Sequence, residues 1–176
     1  MRPNKILLIH ICCLSFLIIF IGCGLTSNLS QNDQGFHFIM KYGIDARNIL
    51  NTFEGTYTKD MIVDSSITIK LQLTQPELTS ISYEMEDIKI FEYPEKFSPR
   101  ESDGPPSNIQ SFAEPHSTYY FKIRIGEKVK ELFWDDRNES VAMKAIKLRS
   151  LIRRIQTMIE GKEDYRKLPH SKGVYL

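Results

Sequence analysis

From Phe36 onward the apolar positions change period several times, and each change marks an element. FHFIMKY alternates, with Phe36, Phe38, Met40 and Tyr42 on one side, which predicts a half-buried strand. TFEGTYT predicts a second strand with Phe53 and Tyr57 turned inward around Gly55. SITIKLQL gives the cleanest alternation: Ile67, Ile69, Leu71 and Leu73 against Thr68, Lys70 and Gln72. The period then lengthens. Thr74, Pro76 and Glu77 form a helix start with a capping box, and Leu78, Ile81, Met85 and Ile88 recur at spacings of three and four as one apolar stripe.

Residues 93–116 have no period and hold five of the eight prolines, so they read as a long functional or mobile loop. STYYFKIRIGEKVKELFW follows as a hairpin turning at Gly126-Glu127. Its register sets Tyr119, Phe121 and Ile123 opposite Trp134, Leu132 and Lys130 on one face. On the other face Tyr120, Lys122 and Arg124 lie opposite Phe133, Glu131 and Val129, and the Lys122–Glu131 charge pair supports that register. A last helix is expected from about Glu139 to Glu160, capped by Asn138 and stopped at Gly161. Val141, Ala145, Leu148, Ile152, Ile155 and Ile159 form its buried stripe, flanked by Leu151 and Met158. The fold class is α+β: a mainly antiparallel sheet of about five strands with two helices on one face. The globular domain spans 36–161, and 162–176 form a loosely packed C-terminal tail.

The first 35 residues obey a different pattern. Arg2 and Lys5 precede a 17-residue, mainly apolar run, Ile6 to Gly22, that carries His10 and Ser15, and the chain turns polar after Gly22-Cys23-Gly24. A basic start, an apolar core and a small residue before the cut are the parts of a signal peptide. A cysteine directly after that cut is the residue whose thiol receives diacylglycerol in a bacterial lipoprotein. Residues 1–22 are therefore expected to be removed, leaving Cys23 acylated with palmitate-type chains and residues 23–35 as a flexible tether. The competing reading is an uncleaved signal anchor, for which the apolar run is short.

Charge and cysteine usage narrow the rest. All three cysteines precede residue 24, so the mature domain has no disulfide to draw on. Removing the leader takes away two of the 23 basic residues and no acid, which leaves 21 against 22 and a net charge of −1. That balance carries no nucleic-acid footprint. His37, His116 and His170 have no second histidine or cysteine at a ligand spacing, which argues against zinc. Asp135-Asp136 after Trp134 reads first as the acidic approach to a helix and second as a catalytic carboxylate pair. The polar groups of Thr56 to Asp60 read equally as site lining or as a strand-to-loop junction. Lys144, Lys147, Arg149, Arg153 and Arg154 read as a solvated helix face rather than a membrane-leaning one.

The segment Asn51 to Asp60, NTFEGTYTKD, together with Trp134-Asp135-Asp136 and the terminal Tyr175-Leu176, resembles small uncharacterised lipoproteins of Gram-positive, Bacillus-like bacteria. The resemblance covers most of residues 40–176. It implies a lipoprotein leader and a shared fold, and it brings no activity, cofactor or catalytic residue. The expectation is a lipid-anchored extracytoplasmic module at the cell membrane, held by the lipid on Cys23 and binding an envelope protein, with no cofactor, metal or nucleic acid. Tyr120, Phe133, Lys122 and Arg124 are the expected binding surface. The rivals are a small envelope hydrolase with a site near residues 93–116 and a single-span protein with the same outer domain.

Overall fold

The computed structural model describes residues 35–99, 115–137 and 140–175. They form an α+β domain around one sheet. In chain order the elements are β1 (Phe36–Tyr42), β2 (Asn48–Asn51), β3 (Thr56–Met61), β4 (Asp64–Lys70), α1 (Gln75–Asp87) and a 3-10 turn (Ile90–Glu92). Then come β5 (Lys96–Phe97), β6 (Thr118–Ile125), β7 (Lys128–Asp135), α2 (Met143–Glu160) and α3 (Glu163–Arg166). The seven strands lie in the order β4-β3-β2-β1-β6-β7-β5, antiparallel except for the short parallel pair β5–β7.

The sheet thus has seven strands rather than about five, and it is mixed. The two additions are short. NILN buries only Leu50 and has polar ends, so it carries no alternation long enough to register as a strand. Lys96–Phe97 lies inside the proline-rich stretch and is held by pairing with Phe133 and Trp134. Two strands also shift. β4 ends at Lys70; Leu71 N–H still donates to the Gly55 carbonyl at 2.9 Å, and Leu71 and Leu73 continue the buried alternation. TFEG is a turn rather than a strand: Gly55 takes φ +62, and Phe53 is left 38 % exposed instead of pointing inward.

The inner face follows the alternation. Phe38, Met40 and Tyr42 of β1 meet Leu50, Tyr57, Phe121 and Ile123 across the ladders, and Leu132 and Trp134 extend the layer. α1 starts as expected: the Thr74 hydroxyl accepts from Glu77 N–H, while the Glu77 carboxylate accepts from Thr74 N–H at 2.6 Å. Its Ile81 and Met85 join Ala145, Leu148, Leu151, Ile152, Ile155 and Ile159 of α2 in one core over the sheet.

α2 begins at Met143, later than expected, with Ala142 at its cap and no side-chain cap bond. Asn138 lies outside the described residues. Val141 is exposed, and Ala142, one position on, is the buried residue. Gly161 ends the helix as expected. The tail is not loose. Tyr165 and Leu168 pack against the core, Ser171 donates to the Asp60 carbonyl, and Lys172 forms a parallel bridge with Ile62.

Candidate functional site

Of the expected surface, Tyr120, Lys122, Arg124 and Phe133 do share the outer face of the sheet, in the predicted register. Neither helix covers that face. The face is nonetheless not a bare apolar patch. Lys122 pairs with Glu131 at 3.2 Å, and Lys41 stands over the Tyr120 ring at 5.5 Å. Arg124 lies 4.9 Å from the Phe53 centroid, and Phe53 in turn stacks on His37. Phe133 is the most open of the four residues, 44 % exposed. Cations stand over Tyr120 and Phe53 while Phe133 stays half open, so the face is amphipathic.

A cleft of about 490 Å3 opens instead at one end of the sheet, within the usual size range of small-molecule sites. Its sheet side carries His116, Ser117 and Tyr119, at the start of β6 and just before it, together with Asp136 beyond the end of β7. Its helix side carries Arg149, Ile152, Arg153 and Gln156 of α2. Arg149, Arg153 and Gln156 are spaced i, i+4, i+7, a polar stripe running beside the apolar one. The backbone locks the sheet side in place: Asp136 N–H donates to the Ser117 carbonyl at 3.1 Å, and Thr118 N–H donates to Gly43.

The two aspartates do different work. Asp136 is buried, and both its oxygens accept from Arg149, Nε at 2.6 Å and Nη2 at 2.5 Å. Arg149 also donates to the Ser140 carbonyl and lies 5.0 Å from the Trp134 ring centroid. This forked pair fastens α2 to the end of β7. Neither aspartate serves the start of the helix, because α2 begins seven residues after Asp136 and is reached through Arg149. Asp135 accepts from His116 Nε2 at 2.9 Å and from Arg137 N–H at 3.1 Å.

The hydrolase reading needs a proton acceptor facing a substrate. His116 uses Nε2 on Asp135, and its Nδ1 is shut off from solvent, so neither nitrogen is left for a substrate. Asp136 is saturated by Arg149. Burial holds the Tyr119 hydroxyl above its ordinary range, despite its hydrogen bond with Ser117. No group among the described residues of the cleft has the form of an activated nucleophile.

The remaining candidates are structural. Tyr57 shares a hydroxyl hydrogen bond with Tyr42, Lys59 donates to the Pro169 carbonyl, and Asp60 accepts from Ile62 N–H, so Thr56 to Asp60 form a junction. On α2, Arg154 meets Glu84 at 3.0 Å, Lys147 meets Asp87 at 3.9 Å, and Lys144 stands over Tyr93. Arg149 is no part of a solvated face, since only 18 % of its side chain is exposed. Cys23 and residues 100–114 lie outside the described residues, as does the terminal Leu176. No helix among the described residues is long and apolar enough to cross a membrane. No group of three or more metal-ligating side chains gathers among them.

No protein-family model matches the chain, and no curated protein matches it.

Proposed function

We propose that the chain is a lipid-anchored extracytoplasmic binding module, tethered to the cell membrane through Cys23 and recognising its target at the envelope with the α+β domain. The basic start, apolar core and Gly22-Cys23-Gly24 junction support the anchor. One observation supports the preference for binding over hydrolysis: among the described residues of the cleft the histidine and the carboxylate are both committed, His116 to Asp135 and Asp136 to Arg149. Such a cleft holds a molecule without offering it a free base.

The anchor is tested by metabolic labelling with an alkyne fatty acid. Cys23→Ala is expected to abolish labelling and leave an uncleaved precursor, while Cys12→Ala and Cys13→Ala label normally. An uncleaved, unlabelled wild-type chain would contradict it. Turnover of an ester or phosphoester panel that His116→Ala abolishes would overturn the binding half.

A further inference from the structure

Counting what the cleft still has to offer identifies its ligand class. Among the described residues that line the cleft Asp136 is the only carboxylate, and Arg149 takes both its oxygens, so the pair presents no net charge. Arg153, one helical turn beyond Arg149, is exposed and makes no ion pair or side-chain hydrogen bond among the described residues. Gln156 adds an amide one further turn along. Both arginines line the cleft from the same helix, α2. Ser117 and Tyr119 share a hydrogen bond, which leaves one hydroxyl of the two to donate. Among the described residues the remaining capacity is therefore the Arg153 charge, the Gln156 amide and one hydroxyl donor, with no uncommitted anionic acceptor. A cation finds no partner here, whereas an acceptor-rich anion finds several. Ile152 and Tyr119 also line the cleft.

We propose that the cleft between the start of β6 and α2 binds an oxyanion, a carboxylate or phosphate group on a body of about monosaccharide size, with Arg153 as its principal charge partner. This assignment rests on the binding-module reading and deepens it. Arg149 acts differently, as a positioning residue that keeps the stripe in register with β7.

The test is calorimetric titration of the full-length protein in detergent with inorganic phosphate, glycerol phosphate and glucuronate, and with glucose as the neutral control. At least one anion is expected to bind, and glucose is not. The phosphate and glucuronate arms tell which oxyanion is preferred. Arg153→Gln is expected to weaken binding by about ten- to a hundredfold, the range of one charge-assisted hydrogen bond. Arg154→Gln, whose native side chain is engaged by Glu84, should leave it unchanged. Equal affinity for glucose, no effect of Arg153→Gln, or no binding by any anion would each overturn the assignment. If the protein is also lipid-labelled and turns over no ester, such a failure leaves the binding-module reading intact. Ester turnover dependent on His116 would remove both.

Discussion

The two faces of the sheet are made by alternate residues of the same strands, yet they solve opposite problems. On the inner face, Phe38, Met40, Leu50, Tyr57, Phe121, Leu132 and Trp134 are sealed by α1 and α2, and polar atoms enter only in matched pairs such as Tyr42–Tyr57. On the outer face, Lys41 and Arg124 stand over the Tyr120 and Phe53 rings, and Phe133 is left half open. The difference teaches where selective chemistry can sit. The inner face is closed, and the outer face is amphipathic. Groups meet in a defined arrangement where the layers part, at the end of β7, and that is where the cleft lies.

The largest effect expected from breaking this comparison is at the lid of the inner face. Ile152 is 1 % exposed, so Ile152→Ala should cost about 2–5 kcal/mol in urea titrations. Arg153→Ala, its outward neighbour, should stay within roughly 0.5 kcal/mol of wild type. Equal losses would mean that the two stripes of α2 are not distinct.

A second effect comes from the tyrosine pair under the helices, whose hydroxyls lie 2.8 Å apart. Burial pushes Tyr42 up to about 12, and burial together with Tyr42 pushes Tyr57 up as well. Unfolded phenols ionise near pH 10. The folded values are raised, so this contribution to stability is fully present below about pH 10 and is lost as pH rises through the folded values. Urea midpoints should fall steeply between about pH 10 and 12, and the Tyr42→Phe/Tyr57→Phe variant should flatten that slope. An unchanged slope would place the alkaline transition elsewhere.

The smallest effect belongs to the outer face. Tyr120→Ser with Phe133→Ser should shift the melting temperature little, because Phe133 is half open and no helix covers either ring. If this face also meets an envelope partner, cross-links captured in intact cells disappear with the double variant. A marked drop in melting temperature would mean that the rings are buried in the full chain.

Periodic patterns were legible in the sequence wherever a run was long enough to show its period. β1, the hairpin register, the capping box of α1 and the buried stripe of α2 all follow from spacing alone. NILN and Lys96–Phe97 escape because four and two residues cannot display an alternation; their neighbours hold them as strands. Phe53 misleads because a turn at Gly55 interrupts what looks like one strand. The cleft is harder still. Arg149-x3-Arg153-x2-Gln156 is visible as a stripe, but Asp136 is brought to it from outside the helix, across residues whose spacing encodes no contact. His116 and Asp135 were visible as residue types, and only folding makes them a pair that consumes the imidazole.

The central claim is that the two stripe arginines differ, Arg149 being spent on the fold and Arg153 left for a ligand. Arginine side-chain Nε–H resonances, followed by NMR while inorganic phosphate or glucuronate is titrated into the full-length protein, test it directly. The Arg149 signal should be protected from exchange and stay fixed, while the Arg153 signal shifts and becomes protected as the anion binds. An Arg149 signal that moves with the anion while Arg153 stays silent, or no change in either, would contradict the account.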